Sequence, residues 1–258
     1  MESVPHKLLK EFLDEKYDLY NRPGFIESDP IQIPHSFSRK QDIEIAGFLA
    51  ATIAWGQRKS IISNALKLMG LMGNSPYDFV MDADAHQLER LRHFVHRTFQ
   101  GVDCQFFIRS LRHIYKDCGG LEKVFTSAYS SGNNIEASLV GFRKVFFEIE
   151  GLPRTFKHVS DVSKGASAKR LNMYLRWMIR NDNRGVDFGL WRSIPSSALY
   201  LPLDLHTGNV ARKLGLLTRK QNDWQAVGEV TAALREFDRN DPVKYDFALF
   251  GLGIFEKF

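Results

Sequence analysis

The sequence predicts an all-α protein built as a two-lobed helical bundle. Apolar residues recur every three or four positions along most of its 258 residues, which is the period of a helix. No stretch shows the alternation of a half-buried strand, and there is no internal repeat. The segment from Gly151 to Gly165 is the clearest linker. We therefore expect a single unit, 1–258, with a helical core lobe at 38–150, a second lobe at 151–258, and an N-terminal helix, 1–37, packing on it.

The individual helices are predicted from apolar spacing between helix-breaking residues. The first helix runs from about Leu8 and ends by Pro23-Gly24, and the prolines at 30 and 34 favour an extended loop over Asp29–Ser38. The remaining expected helices are Ser38–Gly56, Ile61–Met72, a short one from Pro76, Cys104–Cys118, Leu121–Tyr129, Ile135–Glu148, Lys169–Ile179, one after Asp204, Trp224–Phe237 and Val243–Gly251.

Composition narrows the functional classes. No apolar run approaches the roughly 20 residues of a membrane span, and the acidic, amphipathic start does not resemble a signal peptide, so we expect a cytoplasmic monomer with no membrane contact. Cys104 and Cys118 are expected to be free core thiols, and two cysteines cannot ligate a four-iron cluster. His93 and His96 lack accompanying ligands and are expected to be an exposed pair. We predict no metal, no iron–sulfur cluster and no other cofactor.

Basic residues are unevenly distributed. The net charge is +5, but the window from Lys157 to Lys220 holds 12 Lys and Arg against 4 Asp and no Glu, so it carries +8 and the rest of the chain −3. Such a window suits a face that displaces counterions from a polyanion. A solvated surface with a basic bias is the other interpretation, and composition alone does not separate the two.

Asp204 stands where a helix N-cap belongs. Pro202 disfavours helix before it, and Leu214-Gly215-Leu216 is a stop signal after it. Its carboxylate is therefore expected at the positive end of a helix, held by backbone N–H groups. It is either a cap alone or a positioned catalytic anion.

Lys169 begins another strongly predicted helix. Positions 169, 173, 176 and 180 share one face, so Lys169, Arg176 and Arg180 are expected to project together toward an anion or toward solvent. The opposite face carries the predicted buried stripe of Leu171, Tyr174, Leu175 and Met178. A lysine in the first turn lies where the helix dipole disfavours a charged ammonium, which favours an amine nucleophile. An ordinary surface lysine is the alternative.

Two resemblances add to this interpretation. Pro202-Leu203-Asp204-Leu205-His206 and the following Val210–Leu216 resemble the VDTHV–RV–RLGL segment of the helix-hairpin-helix DNA glycosylase superfamily. The strings KRLNMYLRWM and DPVKYDFALFGLG are similar to those of an uncharacterised, mainly bacterial domain-of-unknown-function family. The first resemblance implies a two-lobed bundle of helix-hairpin-helix glycosylase type.

The same resemblance implies catalytic roles. The Asp of that segment is the superfamily's catalytic carboxylate, which corresponds to Asp204, and in bifunctional members a preceding Lys attacks the sugar, which corresponds to Lys169. Their spacing of 35 residues resembles that of the archaeal 8-oxoguanine glycosylases. The usual glycine-rich hairpin before the Lys is replaced by Ser163–Ala168, so Lys164 stays the alternative nucleophile.

DNA contacts are also implied. Phe48–Lys59 resembles the LLSAQATD-type segment whose Gln probes the gap left by a flipped base, and Gln57 is the matching position. Extruded bases need an aromatic or apolar pocket. The expected base-pocket residues are Trp55, Trp177 and Trp191. The expected nucleic-acid contacts are Gln57, Arg58, Lys59, Lys164, Arg170, Arg176, Arg180, His206 and Arg212.

The sequence-based hypothesis is therefore a DNA base-excision glycosylase, with or without lyase activity, acting on damaged duplex DNA. The first alternative is a nucleic-acid-binding module that keeps the glycosylase fold without its chemistry. The second is a protein-interaction scaffold with incidental charge asymmetry.

Overall fold

The computed structural model describes residues 6–258, and these residues are all-α apart from one short hairpin. The first five residues of the predicted N-terminal segment, 1–37, lie outside the described residues. The α-helices in chain order are α1 (His6–Tyr20), α2 (Gln32–His35), α3 (Lys40–Thr52), α4 (Arg58–Leu71), α5 (Pro76–Asp82), α6 (Ala85–Glu89), α7 (Gly101–Asp117), α8 (Leu121–Gly132), α9 (Ile135–Phe146), α10 (Lys169–Ile179), α11 (Leu205–Lys213), α12 (Trp224–Phe237) and α13 (Tyr245–Ile254). The hairpin pairs β1 (Val95–His96) antiparallel with β2 (Phe99–Gln100).

Within residues 6–258, no helix has both the length and the apolar character needed to cross a membrane.

The chain divides into two compact units, and it passes between them twice. The terminal unit comprises the described residues up to Phe25 together with Val162–Phe258, and the central unit comprises Ile26–Asp161. The second passage falls inside the segment expected to be a linker. That segment is not fully extended, because it contains the 3-10 turns Pro153–His158 and Val162–Lys164.

Phenylalanines fill the core of the central unit. Phe107 contacts Phe146 edge-on at a centroid distance of 4.7 Å, and Phe142 stacks on Phe125 at 4.2 Å. Phe48 joins both groups from α3, a helix in which ten consecutive residues are buried. Aromatic side chains bury large areas and favour these edge-to-face and offset geometries, so they supply much of the apolar burial in this unit.

In the terminal unit α13 is buried between α1 and α11, and two glycines allow the close approach. A Cβ at Gly251 would overlap the ring of Tyr20 in α1. At Gly253 a Cβ would lie 3.3 Å from both the His206 Cβ and the Val210 Cγ2 of α11. Because α13 is apolar on nearly every side, it can be buried all round, as the interior helix of a larger domain is.

The structure differs from two sequence-based expectations. The predicted loop over Asp29–Ser38 contains α2, because Pro34 lies within a single helical turn where its missing N–H is not needed. His96 is buried and not exposed with His93. Its Nδ1 lies 3.0 Å from Asn64 Nδ2 and its Nε2 lies 3.0 Å from the Trp55 carbonyl oxygen, so both ring nitrogens are engaged.

Replacing Gly251 by Ala tests the contact between α13 and α1. The added methyl group must displace the Tyr20 ring, so we expect a loss of about 1–3 kcal/mol of unfolding free energy, measured by urea denaturation. Gly228→Ala in α12 is the matched control, because no atom lies near that position and the better helix propensity of Ala favours a gain of about 0.5–1 kcal/mol. Equal shifts in the two variants would contradict the close packing.

Candidate functional site

The starts of α10 and α11 bring Lys169 and Asp204 together in the terminal unit. Lys169 Nζ lies 3.9 Å from Asp204 Oδ2, and these side chains are 24% and 26% exposed. Lys169 Nζ also lies 3.5 Å from Met173 Sδ, one helical turn further along α10. The amine is therefore confined by an anion and a soft apolar group while it stays open to solvent on one side.

Asp204 is the N-cap of α11, as the sequence predicted. Its Oδ1 accepts hydrogen bonds from the backbone N–H of His206 at 2.9 Å and of Thr207 at 3.0 Å, and the Thr207 hydroxyl lies 3.2 Å away. In return the Thr207 hydroxyl oxygen accepts from the Asp204 N–H at 2.9 Å, which completes a capping box. One carboxylate oxygen is thus fixed by the helix, and the other is directed to Lys169.

The end of α11 explains the Leu-Gly-Leu stop signal. Gly215 adopts φ +73°, and the N–H groups of Gly215 and Leu216 donate back to the carbonyls of Arg212 at 3.1 Å and Ala211 at 2.8 Å. This pair of bonds is a Schellman motif, in which glycine supplies the left-handed residue. The motif fixes the length of the helix that carries Asp204.

The residues before α10 form a tight turn with two left-handed positions. Gly165 has φ +82° and Ala168, the residue before Lys169, has φ +50°. The turn is held by an isolated bridge between Ala166 and Asp223 and by the Trp224 N–H, which donates to the Gly165 carbonyl at 2.9 Å. A non-glycine residue in the left-handed region is strained, and such strain persists only where surrounding contacts enforce it.

Asp246, in the first turn of α13, is a site residue that sequence reasoning missed. Burial raises the pKa of Asp246 to about 6, with Arg176 and Lys169 opposing the rise and Asp204 adding to it. The carboxyl therefore belongs to the same electrostatic cluster as Lys169 and Asp204. A signal was available in the sequence, because a lone Asp in the otherwise apolar run YDFALFGLGI is expected to be buried and partnered.

Arg176 and Arg180 do not form a surface for phosphates, which corrects the prediction for both. Their exposed fractions are 4% and 0%. Arg176 pairs with Asp246 and, at 3.3 Å, with Asp187. Arg180 pairs with Asp182 at 2.7 Å, Asp241 at 2.8 Å and Asp187 at 3.0 Å. The predicted polar face of α10 is real, but acidic side chains of the same unit cover it.

Arg212 is also occupied within the protein. Its guanidinium donates to the carbonyls of Arg219 at 2.8 Å and Lys220 at 2.9 Å and to the Asn222 side-chain oxygen at 2.6 Å. Asn222 in turn donates to the Asp204 carbonyl at 2.9 Å. Arg212 therefore closes the loop that supports the Asp204 cap, and its expected phosphate contact stays a prediction.

The tryptophans expected to form a base pocket are not equivalent. Trp177 and Trp191 are 0% exposed, and Trp191 packs edge-on against Tyr174 at 5.5 Å. These two are core residues and do not line an accessible pocket. Trp55 belongs to the central unit, where its half-buried ring lies against His96 at 5.0 Å and His158 at 6.2 Å.

The remaining predicted DNA contacts fall into two groups. In the central unit Gln57 is the exposed N-cap of α4, followed by half-buried Arg58 and exposed Lys59. In the terminal unit Lys164 and His206 are exposed. Arg170 is half-buried beside Lys169, and burial lowers its pKa to about 10.

Comparison with known proteins identifies the family of this chain. The family model described as "Protein of unknown function (DUF2400)" matches residues 29–255. The chain belongs to this family. The match includes Lys169, Asp204 and Asp246, and it confirms the expected membership of an uncharacterised domain-of-unknown-function family. No curated protein and no solved structure matches the chain.

The elevated pKa of Asp246 predicts a pH-dependent stability difference. Its carboxyl titrates near 3.8 when unfolded and near about 6 when folded, so the folded state binds the extra proton and stability falls as pH rises through that window. Asp246→Asn lacks this titration. Relative to the unmodified protein, the unfolding free energy of the variant should therefore rise by roughly 3 kcal/mol between pH 4 and pH 7. Loss of the ion pair with Arg176 lowers the unfolding free energy of the variant by an amount that does not depend on pH.

Urea unfolding at fixed pH values, followed by circular dichroism, measures this difference. Asp223→Asn is a control of opposite sign, because the hydrogen bond from Arg219 lowers the pKa of Asp223 to about 2. A difference between Asp246→Asn and the unmodified protein that does not change with pH would show that Asp246 is not destabilised by burial.

Proposed function

We propose that this protein is a DNA base-excision glycosylase of helix-hairpin-helix type, with Lys169 as the nucleophile and Asp204 as the catalytic carboxylate. The observation that carries the proposal is the pair itself. Two residues 35 positions apart in the chain lie with Nζ and Oδ2 3.9 Å apart, at the starts of two helices, each partly open to solvent.

The geometry suits nucleophilic displacement at a sugar carbon. Asp204 Oδ2 takes a proton from the Lys169 ammonium after a small side-chain rotation, since Oδ1 is held by the helix N–H groups. The free amine attacks C1′, the C1′–N bond breaks, and the base leaves with that electron pair and takes the proton from Asp204, which becomes a carboxylate again. A second proton then passes from the amine to O4′ as the C1′–O4′ bond opens, which gives the protonated Schiff base. Asp204 also offsets the positive charge that develops on the sugar.

Local structure supports assigning the superfamily's catalytic roles to Lys169 and Asp204. A tight turn with left-handed residues at Gly165 and Ala168 stands directly before α10, where glycosylases of this type carry their hairpin. Asp204 follows Lys169 in the chain and caps the next α-helix after it. The pairing with Asp204 also favours Lys169 over the exposed Lys164 as the nucleophile.

The DNA-binding surface is smaller than the charge count suggests. Within the basic window, Arg184 pairs with Asp18 at 2.5 Å and Arg219 pairs with Asp223, in addition to the buried Arg176 and Arg180. We therefore assign phosphate binding to exposed cations of the terminal unit, such as Lys164 and Lys220. Each phosphate contact contributes about 0.9 to the slope of log K against log salt.

Borohydride trapping tests the nucleophile. The protein is incubated with duplexes carrying 8-oxoguanine, uracil, an alkylated base or an abasic site, and reduced adducts are separated by gel. We expect an adduct that Lys169→Gln abolishes, because the amide cannot form an imine. Lys213→Gln, an exposed lysine in the last turn of α11, is the matched control and should retain the adduct.

Other outcomes of the trapping experiment are also informative. An adduct that survives in Lys169→Gln but is lost in Lys164→Gln would move the role to Lys164. The unmodified protein could also give no adduct and no base release while it and the two lysine variants bind DNA in a salt-sensitive way. That result would contradict catalysis on these substrates and favour the binding module. No DNA retention at low salt would favour the interaction scaffold.

Asp204→Asn separates the chemical role of the carboxylate from its role as a cap. Asn is an equally good N-cap, so the unfolding free energy should change by only a few tenths of a kcal/mol. Base release in single-turnover assays should fall by about 100-fold or more, because the amide neither accepts the lysine proton nor carries the compensating charge. A variant that keeps both stability and base-release rate would show that Asp204 is a cap alone.

A further inference from the structure

A second cluster of chemistry-bearing side chains lies in the central unit, at the ends of α7 and α9. His113 Nε2 lies 3.2 Å from Glu148 Oε2 and 3.7 Å from Cys118 Sγ. One ligand atom from each of these three residues lies within 4.8 Å of the other two. A nitrogen, a sulfur and a carboxylate oxygen thus converge on one point at the surface of this unit.

The spacing of these atoms fits tetrahedral coordination. With Zn–N and Zn–O bonds of about 2.0 Å and a Zn–S bond of about 2.3 Å, tetrahedral angles separate N from S by about 3.5 Å and N from O by about 3.3 Å. The observed separations of 3.7 and 3.2 Å match these values. The third pair, Cys118 Sγ and a Glu148 carboxylate oxygen, lies within 4.8 Å, so a single divalent ion could be reached by all three side chains.

Asp117 prepares His113 for this role. Its Oδ2 lies 2.8 Å from His113 Nδ1, on the side of the ring away from Cys118 and Glu148. A carboxylate on one ring nitrogen fixes the tautomer and leaves the lone pair of the other nitrogen for a metal, the arrangement found behind many zinc-bound histidines. Glu148 and a thiolate at Cys118 would balance the two positive charges of the ion.

The backbone holds these residues in place without an ion. His113 and Asp117 lie one turn apart on α7, and Cys118 directly follows that helix. Glu148 follows α9, whose last carbonyl, at Phe146, accepts a hydrogen bond from the buried Ser110 hydroxyl of α7. The rings of Phe106 and Phe147 stack at 5.6 Å across the same junction. The site is also accessible, since the side chains of His113 and Glu148 are 24% and 45% exposed.

We propose that His113, Cys118 and Glu148 bind a zinc ion, with Asp117 as the outer partner of the histidine and water in the fourth position. This assignment replaces the sequence-based expectation of no metal ligand. The sequence does not show this set of side chains, because Glu148 lies 30 residues after Cys118 and only the packing of α7 against α9 joins them. The site is independent of the Lys169–Asp204 pair, which belongs to the terminal unit.

Cobalt and zinc binding to the full chain tests the site. Chelator-treated protein is titrated with Co²⁺, and a near-ultraviolet thiolate-to-cobalt band saturating at one equivalent is expected, displaced by Zn²⁺. Cys118→Ser should abolish the band, and His113→Asn and Glu148→Gln should weaken binding. Asp117→Asn should weaken Zn²⁺ binding about 10–100-fold in competition with a chromophoric chelator.

Cys104→Ser is the matched control, because Cys104 is the other thiol of the chain and is buried in α7 away from the cluster. It should retain the band, with circular dichroism confirming that each variant is folded. A raised melting temperature with Zn²⁺ in the unmodified protein, but not in Cys118→Ser, provides a second measure. No thiolate band, or a band unchanged in Cys118→Ser, would overturn the proposal and leave the cluster as an ion pair of His113 with its two carboxylates.

Discussion

The buried pairs of Arg176 and Arg180 with aspartates hold the terminal unit together. Arg180 is fully buried, and although burial alone would lower its pKa, Asp187, Asp241 and Asp182 raise it well above the usual range. Asp182 and Asp187 fix the segment directly after α10, and Asp241, on the approach to α13, ties a distant part of the chain to the same helix. An uncompensated buried charge costs about 3–5 kcal/mol, so the network tolerates few losses.

This network also determines what the candidate site looks like. Arg176 binds Asp246, and Asp246 responds electrostatically to Lys169 and Asp204, so the structural ion pairs continue directly into the proposed catalytic pair. The two glycines of α13 let α1 and α11 pack on it closely enough to fix the start of α11, where Asp204 caps the helix. The pair remains partly open to solvent, whereas the arginines behind it are covered. The buried arginines of α10 thus stabilise the fold, whereas Lys169 at the start of the same helix belongs to the proposed catalytic pair.

Several features that local rules decide were interpreted correctly from the sequence. The span of α10, the Asp204 cap and the stop at Gly215 follow from backbone hydrogen bonding within a few residues, and all three are found. The errors at Arg176 and Arg180 have a different cause. Both look like surface cations because no local pattern shows that acidic side chains cover them. Asp182 and Asp187 follow the end of α10 and come into contact only through the path of that segment, and Asp241 and Asp246 are distant in the chain.

By itself, the sequence determined that the protein is helical, that Asp204 begins a helix, and that Lys169 begins another. It did so because capping, helix period and glycine stops are properties of short segments. Only the tertiary structure decided which of the basic residues face solvent, that Asp246 joins the Lys169–Asp204 pair, and that His113, Cys118 and Glu148 converge. Those outcomes depend on distances between residues far apart in the chain, which packing fixes and no local pattern encodes.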